Sequence, residues 1–201
     1  MTAVRIPAAR LTGDLVRCVG VLSFGGAVLA GEGVAAALFA LVLLGLTLLR
    51  LLVRPVLDAA TGLVLVAAAW CSLLDLYLRF DRLDLVVHVA ATGLGAAAMH
   101  EALSRTGVLA GADAPYPRRA RVGVAVGVLT LGLALGVLWE VAEWFGHHRV
   151  DSRIQVGYDD TLGDLVAGGL GALVAGALLI RRTGPARAPS GTRPLERSRR
   201  G

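Results

Sequence analysis

Apolar residues run along the chain in six long blocks, over about residues 15–31, 34–53, 56–78, 84–103, 122–145 and 161–180, separated by short polar stretches. Each block is close to the ~20 residues that carry a helix across a ~30 Å hydrocarbon layer. Helix is the conformation that fits, because an open sheet would leave backbone groups unsatisfied in lipid. The pattern therefore predicts an all-α, polytopic transmembrane bundle of about six spans, forming one domain over residues 1–180.

Composition agrees with this reading. The 201 residues are 56% hydrophobic and 17% charged, with a mean hydropathy of +0.70, too apolar for a soluble domain of this size. The 20 basic residues are all arginine. With the N-terminus inside, the inner segments hold all of them except Arg79, Arg82, Arg149 and Arg153, so the positive-inside bias places both termini in the cytoplasm of a bacterial cell membrane. The first block carries Asp14 and Arg17, and "SFGGAVLAGEG" can also be read as a signal peptide ending near Ala30. Residues 181–201 are rich in Pro, Gly, Ser and Arg and read as a disordered tail. Beside a span, such a tail is a topology anchor for anionic lipid head groups rather than a nucleic-acid binder. Cys18 and Cys71 are far apart in sequence and read as small apolar residues, without disulfide or metal role.

The acidic residues are as unevenly placed as the arginines. Ten of the 15 fall at or beyond the outer helix ends: Glu32, Asp75, Asp81, Asp84, Glu140, Glu143, Asp151, Asp159, Asp160 and Asp164. Three of these ends carry them in helical register. Asp84 and His88 are four apart, with Asp81 a turn earlier, and their row continues through Thr92 and Ala96 to His100. Glu140, Glu143 and His147 share one face of the fifth block, with Gly136 and Gly132 behind Glu140. Asp160 and Asp164 continue into Gly168, Ala172 and Gly176. Small residues at this spacing let membrane helices approach closely, so all three acidic rows should face one another and form an outward-open cup.

The W-E-x-x-E-W pattern at Trp139–Trp144, with G-Y-D-D-T-x-x-D-L at Gly157–Leu165 and the stretch from Asp81 to His88, resembles the YjdF-like family of bacterial inner-membrane proteins. The resemblance covers about residues 35–180 and implies a membrane bundle with a shared polar site. It implies no reaction.

The chemistry of the cup has three readings. Carboxylates and imidazoles on facing helices are how bundles hold transition metals, which makes Asp84, His88, Glu140, Glu143, Asp160 and Asp164 candidate ligands for Zn, Mn or Fe. A metal-bound water would then hydrolyse a lipid or envelope substrate, with Asp164 and Glu140 as ligands or general base and His88 as ligand or acid. Small-solute or ion transport is the second reading, since ionisable groups inside a bundle often mark a path. The third is structural: Arg79, Arg82, Arg149 and Arg153 neutralise the acids, and Asp160 or Thr161 caps the sixth helix. His147 and His148 read mainly as loop residues, His100 and Glu101 as inner surface, and Gly93-x-Gly95-x-x-Ala98 as helix packing. No H-E-x-x-H motif is present, which excludes a zincin.

Overall fold

The computed structural model describes residues 8–80, 82–109, 111, 118–152 and 154–182. The expectations for Asp81, Arg153 and the tail from residue 183 onward fall outside these residues. The described chain forms seven helices: α1 (Ala8–Ala30), α2 (Gly33–Leu52), α3 (Pro55–Leu73), α4 (Leu76–Arg79), α5 (Leu83–Arg105), α6 (Arg118–Arg149) and α7 (Tyr158–Arg182). All but the short α4 are long and apolar enough to cross a membrane.

The six blocks become six helices, with informative differences at their ends. The third block, expected over 56–78, is α3 followed by a break. Leu74 N–H still donates to Trp70 O, but Asp75 has φ 53°, a left-handed conformation that a short polar side chain tolerates, and the chain restarts as α4. Hydropathy does not register such a turn because the residues on both sides are apolar. Pro55 opens α3 at its first position, where its missing N–H costs nothing, after Arg54 in an extended conformation. α6 extends past both ends of its block. Its 32 residues make it roughly 48 Å long, longer than the hydrocarbon layer is thick.

Large apolar side chains cover the outside of the bundle: Leu22, Leu29 and Leu51 are all more than 70% exposed. Buried positions include Asp58, Thr61, His88, Thr92, His100 and Asp164. An apolar exterior around a partly polar interior is stable with lipid as solvent, since lipid tails are as apolar as leucine and exert no hydrophobic pressure on the interior.

Two groups of helices build that interior. α1, α2 and α3 enclose Val16, Phe39, Val42, Leu46, Val66 and Ala69. α5, α6 and α7 enclose a tighter core of Ala96, Val128 and Ala172, and α3 packs on α5 to join the groups. The small-residue rows behave as the sequence predicts. Gly168 lies on Thr92, Gly132 on Ala172 and Gly176 on Ala125. The closest approach involves a pair outside those rows: a Cβ on Gly171 would collide with the carbonyl of Val89, and one on Gly93 would sit 2.7 Å from Gly171 O. Here α5 and α7 touch backbone to backbone, which only glycine permits.

Arg17 is not stranded inside α1, because α2 and α3 supply its partners. Its guanidinium reaches Asp58 at 2.6 Å and 3.2 Å and also donates to the carbonyls of Gly13, at 2.9 Å, and Leu46. Arg50 lies 3.0 Å from Asp14 and 3.7 Å from Asp58. The chain's alternating direction gathers these groups, with Arg54, Arg105, Arg119, Arg121 and Arg181, towards one end of the bundle. Glu32, Asp75, Asp84, Glu140, Glu143, Asp159, Asp160 and Asp164 gather towards the other.

Candidate functional site

The acidic end owes its geometry to α5 and α7. Asp84 and His88 lie one turn apart on α5, and Asp164 lies on the α7 row that runs down through Gly168 to Ala172. The glycine contact between Gly93 and Gly171 holds these two helices together below the site, so the side chains above it converge. His88 Nε2 is 3.6 Å from Asp84 Oδ1 and 3.6 Å from Asp164 Oδ2. One ligand atom from each of the three residues lies within 4.8 Å of the others. Asp164 is 3% exposed and His88 9%, while Asp84 sits at the half-buried entrance.

α6 supplies the flanking wall. Glu140 and Glu143 are both partly buried, and Glu140 Oε1 is shut off from solvent with no hydrogen-bond partner. The expected ligand set is therefore only partly gathered. Asp84, His88 and Asp164 form the compact centre, and Glu140 and Glu143 stand beside it. Asp160 is exposed in the first turn of α7 and does not enter the group.

The structural alternative changes at two points. Among the described residues no arginine pairs with Asp84, Glu140, Glu143 or Asp164, so Arg79, Arg82 and Arg149 do not neutralise the cluster. Neither Asp160 nor Thr161 precedes α7 as a cap. The helix starts earlier, at Tyr158, with Thr161 N–H donating to Gly157 O, so Asp159 and Asp160 sit in its first turn, where they complement the helix dipole. His147 and His148, expected as loop residues, lie instead in the last turn of α6: His147 Nδ1 donates to Ile154 O at 2.6 Å and so anchors the following loop, while His148 Nδ1 donates to Trp144 O at 2.8 Å within the helix. His100 and Glu101 lie at the opposite end of α5, as the sequence predicts, but His100 is buried there and not on the surface, because neighbouring helices cover it.

Tyr77 is a neighbour of the cluster that the sequence reading passed over. α4 folds it back so that its hydroxyl donates to Ala68 O at 3.1 Å. Burial pushes the phenol well above its ordinary ionisation range, and the charges of Cys71, Asp84, Glu143 and Asp164 push it further. The only available sequence signal was a tyrosine between two breaks, which is weak. Tyr77→Phe should lower stability by about 0.5–1.5 kcal/mol in thermal unfolding, the usual net worth of one such hydrogen bond.

Fold and site together define a six-span helical membrane protein with a buried carboxylate–imidazole cluster at one end of its α5–α6–α7 group. The chain belongs to the family described as "Predicted membrane protein (DUF2238)", whose model matches residues 18–184, from the middle of α1 to the end of α7. This agrees with the resemblance to YjdF-like membrane proteins. No curated protein and no solved structure matches the chain.

Proposed function

We propose that Asp84, His88 and Asp164 bind a divalent transition metal, Zn, Mn or Fe, and that a metal-bound water hydrolyses an ester or phosphoester of a lipid or envelope substrate. The observation that carries this reading is the convergence of three ligand atoms from two helices within 4.8 Å, with no basic counter-ion among the described residues. Bonds of about 2.0–2.2 Å at tetrahedral angles set ligand atoms roughly 3.4 Å apart, close to the 3.6 Å from His88 Nε2 to each carboxylate. A cation would also offset the cost of buried carboxylates, ~2.5–3.5 kcal/mol for a single charge at the bilayer centre and less near its surface.

In this scheme Asp164 and His88 are ligands and Asp84, at the entrance, closes the set. Glu140, whose buried oxygen lacks a partner, is the further ligand or general base, with Glu143 behind it. The positive-inside bias turns the acidic end outward from a bacterial cytoplasmic membrane, with the Arg-rich tail against anionic lipid on the other side. Ion or solute transport is the second reading, and the interior weighs against it. Below His88 the row continues through Thr92 and Ala96, both buried against neighbouring helices, with no ionisable group before His100.

Elemental mass spectrometry of the detergent-purified protein tests the proposal. About one metal per chain is expected, and each of Asp164→Ala and His88→Ala should weaken binding by at least the roughly 10–100-fold typical even of outer-shell changes. A native protein without metal after supplementation with Zn, Mn and Fe would end this reading and leave transport or a structural role.

A further inference from the structure

A groove of about 450 Å³ opens between α1, α2 and α3 towards the acidic end, with Gly26, Ala27, Ala30, Glu32, Ala35 and Trp70 in its lining. Small side chains on α1 and α2 leave this space opposite the Trp70 indole. Trp70 Nε1–H donates to Ser23 Oγ at 3.1 Å, and Ser23 Oγ–H donates to Val19 O at 2.8 Å. The two polar side chains of the wall thus satisfy each other, and the rest of the wall below the mouth is apolar. Along α1 the lining runs from Val19 to Ala30, roughly 16 Å of helix. That length is about half the ~30 Å hydrocarbon layer, the depth of one leaflet. The groove ends at the turn between α1 and α2, where Glu32 is exposed and its carboxylate neither caps α2 nor pairs with a described cation.

We propose that this groove holds one acyl chain of a membrane phospholipid whose head group carries a primary amine, as in phosphatidylethanolamine, with Glu32 facing the ammonium. Length, lining and charge each select this occupant. A groove one leaflet deep and apolar up to its mouth fits a single chain entering from the leaflet on the acidic side. The head group then lies at the level of the turn between α1 and α2. There the carboxylate of Glu32 accepts charge-assisted hydrogen bonds from an ammonium. The same carboxylate opposes the net negative charge of phosphatidylglycerol and finds no N–H donor on choline. The groove stands apart from the metal reading, since none of these residues belongs to the acidic cluster.

Native mass spectrometry of the full chain in detergent, titrated separately with phosphatidylethanolamine, phosphatidylglycerol and phosphatidylcholine of identical acyl chains, tests the proposal. The native protein should hold one phosphatidylethanolamine about two- to fivefold more tightly than either other lipid, the range of an exposed ion pair. Gly26→Leu puts a side chain into the groove at a position where an added Cβ meets nothing within 4 Å. The fold should tolerate it, while phosphatidylethanolamine affinity falls at least about fivefold because the chain and the leucine compete for one space. Gly25→Leu, equally unobstructed but off the lining, should bind like the native chain. Glu32→Gln, on the exposed turn, should keep chain binding and lose the preference among head groups, which keeps the test informative if Gly26→Leu fails to fold. Native-like binding by Gly26→Leu, equal binding of the three lipids by the native chain, or a preference that survives Glu32→Gln would overturn the proposal. So would a dimer that Gly26→Leu dissociates, which would assign the groove to a second copy of the chain.

Discussion

Gly171→Ala should destabilise the protein severely, while Gly127→Ala, the same change on the adjacent helix, should leave it as stable or slightly more so. The two glycines differ in what a new methyl group meets. At Gly171 it collides with the backbone of Val89, which no side-chain rotation can relieve, and at Gly127 it meets nothing within 4 Å. Overpacking against movable side chains costs about 1–3 kcal/mol, and a backbone obstacle places Gly171→Ala at or above the upper end of that range. Alanine at Gly127 should gain up to about 0.5–1 kcal/mol from helix propensity. Thermal unfolding in one detergent measures both. A linked effect follows at the site, because forcing α7 away from α5 separates Asp164 from His88. Gly171→Ala should therefore also lose metal in whatever fraction remains folded. Equal stability of the two variants would mean that α5 and α7 are not in backbone contact.

The second large effect is expected at Asp58. This carboxylate is 1% exposed and is the partner of Arg17, with Arg50 3.7 Å away. Asp58→Ala leaves a partly buried guanidinium without its partner, and breaking such a pair typically costs about 3–5 kcal/mol. Replacing both members by apolar residues of similar size, Arg17→Met with Asp58→Leu, should recover much of the loss, since a satisfied buried pair adds little over good packing. Unfolding of Arg17→Met, Asp58→Leu and the double variant forms the cycle that separates the pair's own energy from the penalty of orphaning one charge. A double variant less stable than Asp58→Ala would show that Arg17 acts mainly through its bonds to the carbonyls of Gly13 and Leu46.

Much of the fold was legible because lipid imposes a simple rule: a helix must stay apolar for about twenty residues. The six blocks followed from that rule, and the small-residue rows gave the facing surfaces of α5, α6 and α7. What the sequence hid were features that depend on a partner helix. Arg17 and Asp14 looked like defects that shorten the first span, because their partners Asp58 and Arg50 lie on α3 and α2. The contact between Gly93 and Gly171 uses the i+3 neighbour of Gly168, which also faces α5 but lies off the Gly168, Ala172 and Gly176 row, so a single four-residue stripe did not reveal it.

The site was legible to a similar depth. The register of Asp84 with His88, and the position of Asp164 a turn inside its span, put the three groups that meet among the six candidates without setting them apart from Glu140, Glu143 and Asp160. Periodicity alone did not separate Asp164, which is buried, from Asp160 on the same row, which is exposed. The difference lies in where α7 starts relative to the start of α5, a tertiary fact. Tyr77 was hidden for the same reason: a break at Asp75 folds it back onto Ala68 of α3.

The central claim is that the acidic end is a metal centre and not merely a set of helix pins. Its most direct test is the metal content of the purified native chain beside Asp164→Ala and Glu140→Ala, with circular dichroism confirming that each variant retains its helices. The account predicts stoichiometric metal in the native protein, near-complete loss in Asp164→Ala and a partial loss in Glu140→Ala. Metal absent from the native protein, or retained undiminished in Asp164→Ala, would contradict it.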